Sequence, residues 1–101
     1  PAMDEVVITF YCAVDDSDAV LAALRATTDE PVHFNREAVR GHDFSDALTA
    51  EQVTGNLQRA AVSVTVARAQ TDVLVAAVAA ARRTRAVRWE TVALAGRGRF
   101  E

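Results

Sequence analysis

The chain has 101 residues, half of them hydrophobic, with a formal net charge of −3. That suits one folded domain, excludes a disordered chain, and argues against nucleic acid or an anionic membrane as the main partner. One cysteine, Cys12, excludes an internal disulfide, and no apolar run approaches the roughly 20 residues that a membrane span needs.

The start, PAMDEVVITF, has neither a basic nor a hydrophobic leader region. Met3 is expected as the native start, with Pro1 and Ala2 added ahead of it, and the single thiol points to a reducing, cytoplasmic setting. All 11 basic residues are Arg, a bias that fits genome base composition better than function. Residues 1–51 carry eleven Asp and Glu against three Arg; residues 52–101 carry three against eight. Halves of opposite sign are expected to face each other within the fold or across a subunit contact.

Glu5 to Cys12 is rich in β-branched and aromatic residues and reads as a strand. Val6, Ile8, Phe10 and Cys12 share one face; Val7, Thr9 and Tyr11 share the other. Both faces are largely apolar, so both are expected to be covered. The acidic run Asp15–Asp18 offers helix caps and suits the positive end of a helix dipole. Val20, Leu21 and Leu24 then recur at helical spacing, until Thr27, Thr28 and Pro31 stop the helix.

Val32 to Arg40 reads as a second strand whose alternation slips, as at a bulge or an edge position. A polar connection follows, residues 40–58, with Gly41 and Gly55 near its ends. Ordered loops of this length usually bind something. Arg59 to Ala67 is the most regular strand, with Val62, Val64 and Val66 on one side and Ala61, Ser63 and Thr65 on the other. Thr71 is placed to cap a second helix with Leu74, Val78 and Ala81 on one stripe, and Arg82, Arg83 and Arg85 crowd its C-terminal end. Val87 to Leu94 is the fourth strand, and GRGRFE closes the chain.

The order β-α-β-β-α-β predicts an α+β, ferredoxin-like subunit, with a four-stranded antiparallel sheet and two helices on one face. The other face would carry small or neutral residues (Val7, Thr9, Ala61, Ser63, Thr65) where a solvated sheet would show charges. Such a face usually meets another subunit.

The blocks VRGH (Val39 to His42) and LTAEQVTGNLQR (Leu48 to Arg59), followed at once by a valine-alternating strand, resemble a bacterial P-II-like family of small proteins of unknown function. The similarity runs from the first strand to the fourth. It implies a compact homotrimer with lateral clefts for a small ligand, and it makes residues 40–58 the counterpart of the T-loop by which P-II proteins touch their targets. Genes of that family often lie beside heavy-metal efflux pumps, which implies a metal response and a membrane transporter as a possible target. Nitrogen-regulatory P-II proteins carry a Gly-rich, Lys-containing phosphate loop before the fourth strand. Arg82 to Ala86 here has neither residue, and the long connection has no Tyr for covalent modification.

The candidate ligand contacts are Arg40, Gly41, His42, Gln52 and Arg59. His42, with Asp43, Asp46 and Glu51 near it in sequence, is a candidate ligand for Zn, Ni or Co; its plain alternative is a solvated loop residue. Arg40 and Arg59 flank the connection and suit a phosphate or carboxylate, or else pair with Glu37, Asp43 or Glu51 across a subunit contact. Gly96-Arg97-Gly98-Arg99 is a weak anion-site candidate. Cys12 is expected as a small buried hydrophobe, with Asp15 and Asp16 raising its pKa, and Trp89 and Phe34 as core or interface anchors. Ser63 lacks a nucleophile turn, and no paired catalytic carboxylates stand out.

Three function classes remain. The first is a non-enzymatic regulatory or sensor protein that binds a small effector or metal at inter-subunit clefts and signals to a partner. The second is a metal-binding accessory protein similar to the divalent-cation-tolerance proteins. The third, a small ferredoxin-like enzyme, is disfavoured because no His, Tyr or Asn constellation is evident on the open sheet face. No cofactor is implied.

Overall fold

The computed structural model describes residues 4–39, 57–82 and 87–101. Strand β1 (Glu5–Ala13) runs through a 3-10 turn (Val14–Asp16) into helix α1 (Ser17–Thr27). Strands β2 (Val32–Val39) and β3 (Leu57–Ala67) follow. A second 3-10 turn (Arg68–Gln70) leads into helix α2 (Thr71–Ala81), and strand β4 (Arg88–Ala93) completes one antiparallel sheet of order β2-β3-β1-β4. This is the predicted α+β ferredoxin-like arrangement.

The strand alternation sorts side chains as the sequence implies. Val6, Ile8, Phe10 and Cys12 on β1 and Ala60, Val62, Val64 and Val66 on β3 are buried on one face. Val20 and Leu24 of α1 and Leu74 and Val78 of α2 close over them. Each Val, Leu, Ile and Phe among these, fully buried, contributes about 1.5–3 kcal/mol, so this one layer carries most of the hydrophobic stabilisation.

Several boundaries differ. The slip in β2 reflects its edge position; the pairing from Val32 opposite Val64 to Val39 opposite Leu57 runs without a bulge. The connection expected over residues 40–58 gives up its last two residues, because Leu57 and Gln58 pair with Val39 and Ala38.

The helix starts are corrected as well. Asp16 holds the N-cap place of α1 but makes no side-chain cap bond; the turn before it is tied instead by the Ser17 hydroxyl, which donates to the Val14 carbonyl at 2.7 Å. Gln70 is the N-cap of α2, and Thr71 is its first helical residue. Arg82 is the C-cap residue, its backbone N–H bonded to the Val78 carbonyl at 3.0 Å, and residues 83–86 lie outside the described residues.

Trp89 and Phe34 are not core residues. They stand on the helix side of the two edge strands, 46% and 42% exposed, beyond the width that two helices cover. Among the described residues, no helix is long and apolar enough to cross a membrane.

Candidate functional site

The face turned away from the helices is built by register. Thr9 stands opposite Ser63 and Glu90; Ser63 stands opposite His33; Asn35 stands opposite Ala61. Val7, Thr9, Ala61, Ser63 and Thr65 form its centre and are half-buried, as the uncharged face predicted from the sequence requires.

One end of this face is charged, which the sequence reading did not anticipate. Arg59 on β3 stands directly opposite Glu37 on β2, and its Nε donates to Glu37 Oε1 at 2.6 Å. The same guanidinium lies 4.1 Å from the centre of the Tyr11 ring on β1. Arg88, directly opposite Tyr11 on β4, lies 4.2 Å from that ring. The Tyr11 hydroxyl donates to Glu90 Oε1 at 2.9 Å, and Arg88 reaches Glu90 Oε2 at 3.6 Å. The chain of contacts Glu37–Arg59–Tyr11–Arg88–Glu90 thus crosses all four strands. The bond to Glu90 holds the Tyr11 phenol above its ordinary pKa of 10.0; burial adds to the rise, and the two guanidinium groups oppose it.

This cluster sits at the sheet end where β2 runs out at Val39 and β3 begins at Leu57. β4 begins at the same end. Val39, Leu57 and Val87, the described residues that border residues 40–56 and 83–86 in sequence, therefore lie toward this end of the sheet.

Of the five candidate ligand contacts, Arg59 alone lies among the described residues. Arg40, Gly41, His42 and Gln52 lie outside them, as do Asp43, Asp46 and Glu51. The alternative pairing of Arg59 with Glu37 is present, within one sheet of one chain. Among the described residues no three of His, Cys, Asp and Glu converge as a metal site needs. The metal reading rests on His42, and no step below uses a metal.

In the tail, Arg97 pairs with Glu5 at 3.2 Å and Arg99 with Glu101 at 3.1 Å. His33 and Asn35 on β2 and Tyr11 on β1 stand on the same, open side of the sheet.

Glu37 is a partner that the sequence already offers to Arg59, whereas Tyr11, Arg88 and Glu90 are not legible from it as members of the cluster. The alternation of β4, with Arg88, Glu90 and Val92 set against Trp89 and Thr91, was the available signal. It becomes specific only once the register with β1 is known.

Cys12 is a buried free thiol. Burial pushes its pKa up to about 11, and the Asp16 carboxylate adds to the rise. Asp16 is itself buried, and its Oδ2 has no hydrogen-bond partner among the described residues.

No curated protein matches this chain. Among the solved structures that share the fold are the following three. A DUF3240 family protein from Shewanella baltica OS155 is 13% identical with a TM-score of 0.74, over 96% of this chain and 97% of that one. A Bacillus cereus protein related to NIF3 is 10% identical with a TM-score of 0.70; the match covers 97% of this chain but only 28% of that protein. A functionally unknown protein from Pediococcus pentosaceus ATCC 25745 is 7% identical with a TM-score of 0.63, over 99% of this chain and 100% of that one. At these identities the likeness concerns the fold alone. The family model for DUF3240, a protein family of unknown function, matches residues 2–101, and the chain belongs to that family.

Proposed function

We propose that this protein is a non-enzymatic, P-II-like regulatory subunit. It assembles as a homotrimer through the open face of its sheet, takes a small effector at the clefts between copies, and passes that state to a protein partner such as a membrane transporter. The carrying observation is the centre of the open face. Val7, Thr9, Ala61, Ser63 and Thr65 are small or neutral and half-buried, and both helices lie on the other side of the sheet. A solvated antiparallel face alternates to charge; a face of this make-up is suited to burial against a second sheet.

The charged chain through Arg59, Tyr11 and Arg88 would then stand at the rim of that contact, at the sheet end toward which Val39, Leu57 and Val87 lie. A rim of paired charges fixes register and leaves neighbouring loops to meet a ligand. The effector contacts in this reading are Arg59 from the described sheet and Arg40, Gly41, His42 and Gln52 from the connection beyond Val39.

Light scattering on the full chain is expected to give three times the 10.9 kDa of one copy. Thr9→Arg and Ser63→Arg, at directly opposed positions on the open face, should each reduce the mass to one copy with the circular dichroism spectrum unchanged. A monomeric parent at micromolar concentration would overturn the reading. Calorimetry with adenine nucleotides, and separately with Zn, Ni, Co and Cu, identifies the effector class. Binding of a metal alone, lost in His42→Ala, would favour the metal-binding accessory reading.

A further inference from the structure

The helix side of the sheet has an opening of its own. Between α2 and β4 lies a hollow of about 90 Å³, lined by Phe10, Val75, Val78, Val87 and Trp89, with Arg82 among the residues that bound it. Trp89 is half-exposed there. Among the described residues, the lining is apolar apart from that cation. On the same chain, Phe100 stands wholly exposed near the end of the tail that follows β4, next to the acidic Glu101.

We propose that Phe100 of one copy seats in the Trp89 hollow of a second copy, with Glu101 meeting Arg82 at its edge. The occupant matches in both respects: an aromatic ring for an apolar pocket, and a carboxylate for Arg82, the cation that borders it among the described residues. Glu101 pairs with Arg99 in the single chain, but both side chains are largely exposed, and an exposed pair of this kind is easily exchanged for another.

Geometry directs the contact to a neighbour rather than to the chain's own hollow. The tail leaves the sheet where the Leu94 backbone N–H bonds to the Glu5 carbonyl at 3.0 Å. Arg97 then ties it to the Glu5 carboxylate at 3.2 Å. Glu5 alternates with Val7, Thr9 and Tyr11 onto the open face, whereas the hollow lies on the helix face. Phe10, in the hollow wall, is five residues along β1, about 16 Å away. The chain from Arg97 to Phe100 spans at most about 11 Å and starts from the wrong side. A tail at one end of a subunit and its receptor at the other make a head-to-tail contact, which closes into a ring when the rotation between copies permits. This inference rests on the assembly in the reading above, but it uses a different surface from the sheet contact.

Trp89 is the sole tryptophan, so its emission reports the hollow directly. In the full chain, self-association should shift the emission to shorter wavelength and lower its quenching by acrylamide. Phe100→Ala, an exposed position that leaves folding intact, should abolish both changes and weaken association by about ten- to hundredfold, the effect of one large buried side chain. Arg82→Glu and Glu101→Arg should each weaken association, and the double exchange should restore it.

Light scattering on the same samples separates the two ideas. Trimers whose Trp89 signal ignores Phe100→Ala would overturn this contact and leave the sheet interface standing; the hollow would then belong to another occupant. A Trp89 signal that depends on Phe100 but not on protein concentration would mean docking within one chain, and would overturn it too.

Discussion

Arg59 holds its guanidinium carbon 4.1 Å from the centre of the Tyr11 ring, although the two are not directly opposed in the sheet. Arg59 faces Ala13 across β1, and Tyr11 faces Ala61, so the contact is diagonal. The Arg59 side chain is 16% exposed, and that of Glu37, which it also binds, 34%. A partly desolvated cation between a carboxylate and an aromatic ring is worth more than a surface pair.

Arg59→Ala is therefore expected to cost about 1–2 kcal/mol in urea unfolding, the sum of a cross-strand pair and a cation–π contact. Arg59→Lys should recover part of that, because an ammonium keeps the charge but loses the planar stack. A double-mutant cycle with Glu37→Ala apportions the two contacts. A loss below about 0.3 kcal/mol for Arg59→Ala would mean that the cluster is a solvated surface feature.

The Tyr11 phenol makes stability depend on pH on the alkaline side. Its proton is held by the bond to Glu90, so the folded pKa lies above the unfolded value of 10.0. The folded state then binds the proton when the unfolded state has begun to lose it. The stabilisation is complete below pH 10 and is lost as pH rises from there through the folded pKa. Tyr11→Phe should remove this slope from urea unfolding at alkaline pH. Glu90→Ala should bring the phenol midpoint, read by ultraviolet absorbance, down toward 10. A phenol that titrates at 10 in the parent would show that the hydrogen bond is absent in solution.

Cys12 should be inert in the native protein. With its pKa pushed up to about 11, few thiols are ionised at neutral pH, and the side chain is fully buried. A thiol-reactive disulfide reagent should label it only on unfolding, so the labelling rate follows the opening equilibrium. Asp16→Asn should lower the thiol pKa and accelerate labelling of the native state at alkaline pH. Because Asp16 makes no cap bond, the same change should cost less than the roughly 1 kcal/mol that a working N-cap contributes. Rapid labelling of the parent at neutral pH would contradict the burial of this face.

The comparison between strands shows where sequence reading stops. Alternation sorts Val6, Ile8 and Phe10 onto one face of β1 and Val62 and Val64 onto one face of β3, and these are the faces that the core buries, although the other face of β1 is largely apolar too. In β2 and β4 the same alternation was too weak to decide. Edge strands are half-solvated, so hydrophobicity marks neither face strongly. Phe34 and Trp89, expected as core or interface anchors, are half-exposed in the single chain and so are not core residues. The helix starts misled for a related reason. Several polar residues near Asp16 and Thr71 satisfy the cap pattern, and the 3-10 turns that precede both helices shift which one takes the place.

Local pattern alone established the order of elements, the buried layer and the neutral centre of the open face, because period-two and period-3.6 burial are written residue by residue. Pairing register decided the rest. It set Arg59 against Glu37 and Tyr11 and drew Arg88 and Glu90 to the same tyrosine. Such contacts join residues up to 79 positions apart, between Tyr11 and Glu90, and a relation at that distance has no local signature: only the folded sheet fixes it.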